Sequence, residues 1–208
     1  METQHCDISH IFMAVMIAVT LVVTSCTHPY PVDISGRLDA PSSATYEVAF
    51  SPSKQSEDVI LRFITEAKKS VHVAAYSFTS KEIAQALLDA KARGVDVRVV
   101  VDKSQASGKY SAATFLAIHA VSVRVDGEYQ LQHQKIVVVD GLSVETGSYN
   151  FTASARDRNS ENVLIIRNSP DLAGLYEANW EKMWNESVVI EKRYRTRMPP
   201  CYRTGQGR

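Results

Sequence analysis

No excess of either charge marks this chain: Lys and Arg number 23, and Asp and Glu number 23, among 208 residues. A stable grip on nucleic acid calls for a broad basic field, which is lacking, so any contact with a polyanion must be local. Cysteine is scarce as well. Cys6, Cys26 and Cys201 have neither the even count nor the close spacing of a disulfide framework or a zinc site, and neither is expected. The apolar run at residues 11–23, interrupted only by Thr20, is too short to cross a bilayer comfortably and suits the core of a secretory signal. The residues before it include Glu2 and Asp7 and lack the Lys or Arg that such signals normally carry. Internal repeats and low-complexity segments are missing too.

What is present is ordinary globular usage, with 45% hydrophobic and 22% charged residues and a length that fits one catalytic domain. The sequence Val23-Thr24-Ser25-Cys26 resembles a bacterial lipoprotein processing site, whose cysteine becomes the lipidated first residue and a membrane anchor. A plain secretory cleavage nearby and an uncleaved hydrophobic anchor are the alternatives. Residues 1–26 thus read as a signal peptide or lipoprotein signal, and the location as exported: periplasmic, secreted or anchored in the envelope. Pro29, Pro31, Gly36 and Pro41 make residues 27–44 a linker. The folded domain is expected over residues 45–186. Residues 187–208 form a basic tail in which Lys192, Arg193, Arg195, Arg197, Arg203 and Arg208 face only Glu191, a solvated end or a phosphate contact.

Within the domain, hydrophobic periodicity alternates between strand and helix. Strands are expected at residues 46–50, 71–77, 95–101, 121–125, 135–140, 144–147 and 162–167, with helices at 57–69, 79–93, 111–119 and 171–186. Thr79 and Glu82 stand at capping-box spacing and Gly94 is a stop signal. The pattern predicts an α/β fold, a layered α/β/α domain with a mixed sheet. Tyr176, Trp180 and Trp184 lie on the apolar side of the last helix and read as core, not as a ligand cage.

The chemistry gathers in about thirty residues. His133 and Lys135 share a face of one strand, about 7 Å apart by the strand period, and Asp140 ends that strand. After a short turn, Gly147-Ser148-Tyr149-Asn150 closes the next strand, with Ser148 and Asn150 of equal parity and Gly147 permitting close backbone approach. If the two strands are neighbours, one pocket receives an imidazole, an ammonium, a hydroxyl and an amide. Such a set suits a phosphodiester: the ammonium and amide hold the non-bridging oxygens while the imidazole attacks phosphorus. This chemistry calls for no metal and no cofactor. The backbone donors of a helical turn starting near residue 151 would also favour an anion. His72 and His119 read as structural or merely exposed.

The ordered set His133, Lys135, Asp140, Gly147, Ser148 and Asn150, followed by Glu161, resembles the HxKxxxxD…GSxN signature of the phospholipase D superfamily. Residues 74–79 (Ala-Ala-Tyr-Ser-Phe-Thr), Arg93-Gly94-Val95-Asp96-Val97 and Asn159-Ser160-Glu161-Asn162 resemble its small bacterial endonucleases, so that the likeness spans about residues 46–185. The resemblance implies a metal-independent phosphodiesterase with a phosphohistidine intermediate. It makes His133 the nucleophile and Lys135 and Asn150 the phosphate ligands. It also implies that Glu161 orients His133 through the other ring nitrogen. Ser148 is a further phosphate contact or a turn hydroxyl, and Asp140 is a supporting residue behind the site.

A non-specific endonuclease on DNA or RNA is the leading reading, hydrolysis of phospholipid head groups the second, and a non-catalytic phosphate-binding protein the third. The superfamily carries two motifs per active site and this chain has one. The expected partner is therefore a second copy of the chain, in a homodimer with a shared active site.

Overall fold

A computed structural model describes residues 36–106 and 111–190. The expected signal at residues 1–26, with Cys26, and the cationic residues of the tail lie outside these. The chain runs β1 (Thr45–Ser51), α1 (Lys54–Glu66), β2 (Ser70–Ala75), α2 (Lys81–Ala92), β3 (Asp96–Asp102), a 3-10 turn (Lys103–Ala106), α3 (Ala112–Ile118), β4 (Ser122–Asp126), β5 (Lys135–Val139), β6 (Ser143–Gly147), α4 (Ala153–Asp157), β7 (Glu161–Arg167), α5 (Pro170–Glu186) and β8 (Val188–Val189).

All eight strands form one sheet in the order β1-β7-β6-β5-β2-β3-β4-β8. β3 is parallel to β2 and to β4, and the remaining pairs are antiparallel, so the sheet is mixed as the alternating pattern implies. Because strand side chains alternate, one face carries Val73, Val99, Val137 and Ile165 into a core with Ile60, Phe63 and Ile64 of α1, Leu87 of α2 and Leu116 of α3. The opposite face sets Ala74, Val100 and Ile136 against Trp180 and Met183 of α5, with Val138 and Val144 beneath Ala173. The layers are α/β/α, as expected. α5 lies across β2, β4, β5 and β6, and Tyr46, Val48 and Phe50 of the edge strand β1 stay 61%, 57% and 64% exposed on its side of the sheet.

Three sequence expectations need correction. The cap of α2 is Ser80, not Thr79: the Ser80 Oγ accepts from the Ile83 N–H at 3.1 Å. The helix expected at residues 57–69 starts and stops three residues earlier. Ser53 caps it, and beyond its end the backbone N–H groups of Lys68, Lys69 and Ser70 turn instead to the Asp140 carboxylate, at 2.7–3.1 Å. Residues 187–190, assigned to the basic tail, belong to the domain: β8 pairs with Arg124 and Val125 of β4, and Ile190 is buried in the core.

The histidines set aside are structural. His72 stacks on Trp180 with ring centroids 4.3 Å apart, and its Nδ1 is held by Glu177. His119 is exposed, with Nδ1 2.8 Å from the Phe115 carbonyl.

Candidate active site

Strand register gathers Lys135, Gly147 and Glu161 at one end of the sheet. Lys135 opens β5 opposite Ala75, the last residue of β2. On the other side Ile136 pairs with Thr146, so that Gly147 ends β6 beside Lys135. Gly147 in turn faces Val163 of β7, whose first residue, Glu161, pairs with Ser51. Beyond β6 the chain is stapled to the β2–α2 connection. Phe151 donates its N–H to the Ser77 carbonyl at 3.1 Å and accepts from Thr79 and Ser80 at 2.9 and 2.8 Å. The Phe78 and Phe151 rings pack edge to face with centroids 5.6 Å apart. Those bonds fix Asn150, one residue earlier, next to the stretch that carries Tyr76.

His133 lies in the loop just before β5, not in the strand, and its side chain is exposed. Even so, the reactive groups meet more closely than strand spacing alone implies: the Lys135 Nζ is 3.0 Å from His133 Nδ1 and donates to the His133 carbonyl at 2.6 Å. Lys135 is buried at 5% exposure. That burial pulls its ammonium below the usual lysine range, while the charge of Glu161 works in the other direction. The Tyr76 ring closes the group, 4.5 Å from the His133 ring and 5.0 Å beneath the Lys135 Nζ.

Glu161 departs from its expected role. Within this chain its carboxylate accepts from the Ser148 hydroxyl at 2.5 Å and the Asn159 amide at 2.9 Å, while His133 Nδ1 faces Lys135. The Glu161 carboxylate is thus bound to Ser148, and its charge favours the ammonium of Lys135. Ser148 also accepts from the Asn162 backbone N–H at 3.1 Å, which ties β6 to β7 beside the motif. Asn150 is half-buried, and its Oδ1 is enclosed without a hydrogen-bond partner.

Asp140 is not part of the site. It lies five residues beyond Lys135, roughly 16 Å away along a strand, at φ 57 in the turn it makes with Gly141 at φ 65. Burial works to raise its carboxyl, but the three backbone N–H groups outweigh this and hold it below the usual carboxylate range. The aspartate of the motif is a clamp joining the α1–β2 connection to the β5–β6 turn. The helical turn after the motif is α4, of five residues, and the Thr152 side chain already occupies the Ala155 N–H.

Some neighbours of the site were not read from the sequence. Tyr76 entered only as part of a resemblance, with no role. Beneath the motif, Glu57 at 1% exposure accepts from Arg156 at 2.9 Å and from Ser80 at 2.7 Å. Glu145, fully buried in β6, has both oxygens without partners, and burial pushes its carboxyl well above the usual range. The available signal was a charged residue at an inward position of a strand that reads Val-Glu-Thr-Gly. Among the described residues no three His, Cys, Asp or Glu side chains come together in a way that could hold a metal.

Gly147 is as tightly placed as its type suggests: a Cβ there would stand 2.2 Å from the Asn162 carbonyl oxygen. Gly147→Ala must force β6 and β7 apart at the motif, a strain costing about 1–3 kcal/mol. The urea midpoint should fall accordingly, with cleavage reduced in the folded protein as Ser148 loses its register with Glu161. An unchanged midpoint would mean that the two strands separate without cost.

Comparison with known proteins identifies relatives of this chain. Residues 60–184 match the family described as "Cardiolipin synthase, PLD-like domain". The chain is 35% identical over 139 residues to a phospholipase D of Rickettsia bellii, covering 67% of this chain and 69% of that protein. It is 33% identical over 127 residues to the mitochondrial cardiolipin hydrolase of Xenopus tropicalis, covering 61% and 60%. Among solved structures, the phospholipase D family member Nuc from Salmonella typhimurium superposes with a TM-score of 0.67 at 38% identity, over 70% of this chain and 97% of that one.

Proposed function

Because this chain belongs to the phospholipase D superfamily and is a hydrolase of phosphodiester bonds, we propose that its substrate is DNA or RNA, cut without base specificity through a phosphohistidine on His133. The observation that carries the reading is the contact of an exposed imidazole with a buried ammonium, 3.0 Å apart. A phosphate drawing the Lys135 ammonium onto its non-bridging oxygens releases Nδ1 to carry the ring proton and leaves the Nε2 lone pair free to attack phosphorus. Asn150 binds a second oxygen, and Lys135 neutralises the charge that grows in the transition state. Water then breaks the N–P bond and restores the imidazole.

Nucleic acid ranks first because the nucleophile sits open at the surface and the fold is compact. The likeness also covers 97% of the short Nuc chain, against 69% and 60% of the Rickettsia and Xenopus proteins. A phospholipid head group is the second reading. It is favoured by Tyr129 and Leu131, which stay 39% and 51% exposed in the loop leading to His133 and could meet acyl chains.

The active unit we propose is a homodimer with a shared site. Cleavage needs an acid for the leaving oxygen besides the nucleophile, and one imidazole cannot fill both posts at once. The exposed Tyr46, Val48 and Phe50 are in register with Ile166, Leu164 and Asn162 of β7, one residue short of the Ser51–Glu161 pair. This apolar stripe ends at the site and suits a second copy.

The test is incubation of purified protein, in EDTA, with single-stranded DNA, duplex DNA, RNA and phosphatidylcholine vesicles in separate reactions. Nucleic acid should be cut in chelator, since Lys135 and Asn150 supply the charge neutralisation that a metal would otherwise give. Cleavage of lipid alone would reverse the ranking, and cleavage of nothing would favour a binding role. Activity lost in EDTA and restored by a divalent ion would overturn the metal-independent route.

A further inference from the structure

The Lys135 ammonium must stay charged to hold a phosphate, yet its side chain is almost wholly buried. The titratable groups around it are few, and the one from the paired strand β6, Glu145, is fully buried with its carboxyl pushed well above the usual range. Glu161, at the start of β7, attracts it, but that carboxylate is shared with Ser148 and Asn159. His133, from the loop before β5, offers a ring nitrogen and a carbonyl. From the β2–α2 connection, one residue past β2, comes Tyr76, with its ring 5.0 Å from the Nζ. The negative face of an aromatic ring within about 6 Å of a desolvated ammonium is a recognised stabiliser of the charged form. The same ring leans on His133 at 4.5 Å with an interplanar angle of 50°, and so limits the rotation of an otherwise exposed imidazole. Its place is fixed, because the following residue, Ser77, accepts the Phe151 N–H at 3.1 Å and Phe78 bridges to Phe151. One aromatic side chain thus touches both members of the reactive pair and is anchored to the segment that carries Asn150.

We propose that Tyr76 is a positioning residue for phosphodiester cleavage, its ring keeping the Lys135 ammonium charged and, tilted against the His133 ring, setting that ring for attack. This rests on the reading of His133 and Lys135 as the reactive pair. The ring, not the hydroxyl, carries the role. Activity that depends on charged Lys135 is present at low pH and lost as pH rises through the lysine's titration. Weakening the ring's attraction makes the ammonium give up its proton more readily, so the loss begins at lower pH.

The experiment is the pH profile of kcat/KM on a nucleic acid substrate, in a protein whose turnover has been shown to vanish in His133→Ala. Should His133→Ala remain active, the reactive-pair reading fails, and that outcome is separate from the one tested here. In Tyr76→Leu the alkaline limb should move down by about 0.4–1.5 pH units, the size of a cation–π contact expressed on a pH scale. Tyr76→Phe should leave the limb where the wild type has it. Leucine could disturb the fold, so a second series replaces Tyr76 with phenylalanine fluorinated stepwise, which keeps the ring's shape while draining its negative face. The limb should then descend with each fluorine. A limb indifferent to fluorination, or a folded Tyr76→Phe protein without activity, would overturn the proposal.

Discussion

His133→Ala should reduce cleavage by about 10⁴-fold or more, the scale seen when a covalent nucleophile is removed, while leaving the fold intact. The side chain is exposed, so its loss opens no cavity, and Lys135 keeps its bond to the residue-133 carbonyl, which alanine retains. Removing either phosphate ligand should cost less: Lys135→Ala and Asn150→Ala weaken transition-state binding but leave an attacking nitrogen, so traces of turnover survive. Glu161→Gln should cost least of the four, since glutamine can still accept from the Ser148 hydroxyl and forfeits only the charge that supports Lys135. Brief incubation with phosphate-labelled substrate followed by an alkaline quench checks the order, because an acid-labile label should stay on the wild-type chain and be missing from His133→Ala. An alanine variant at position 133 that turns over at near the wild-type rate would show that another group attacks phosphorus.

The second large effect is expected in mixed dimers. Heterodimers of one wild-type and one His133→Ala subunit, isolated through two different affinity tags, should have almost no turnover. The intact imidazole would then lack the partner that protonates the leaving oxygen and later activates water. Two independent sites would instead leave half of the activity. The same model assigns the apolar stripe of β1 to the interface. Val48→Lys, at a position 57% exposed in the single chain, should give a folded monomer with a collapsed rate, because a buried unpaired ammonium in an interface is costly. Sedimentation together with the rate decides the matter. An active monomer, or heterodimers at half rate, would rule out the shared site.

How far the sequence could be read depended on whether the physics was local. Element order and layering follow from periodicity, and strand register brings Lys135, Gly147 and Glu161 to one end of the sheet, with His133 in the loop just before β5. Where a decisive partner was distant in sequence, the reading slipped. The end of α1 could not be placed from its own residues, since the N–H groups of Lys68 to Ser70 are claimed by Asp140, some seventy positions away. That same contact makes the motif's aspartate architectural, whereas sequence order had set it behind the catalytic group. β8 was missed because two exposed valines carry no period of their own and are ordered by β4. Thr79 has the capping-box spacing to Glu82, yet the cap falls to Ser80, whose hydroxyl accepts from the Ile83 N–H and also reaches Glu57. Tyr76 shows the limit from another side. Nothing in its local pattern distinguishes a ring that packs in a core from a ring that faces an ammonium.

Glu145 changes what the charge count means. The formal net charge of +0 counts it as an anion, whereas its burial in β6, with no partner for either oxygen, favours the protonated form. The place of that missing anion matters more than the total. An ionised carboxylate two residues from Gly147 would set a negative potential under the pocket, in a medium that screens it poorly, and would oppose an arriving phosphate. With the proton in place, the substrate meets the field of Lys135 without a counterweight from the core below.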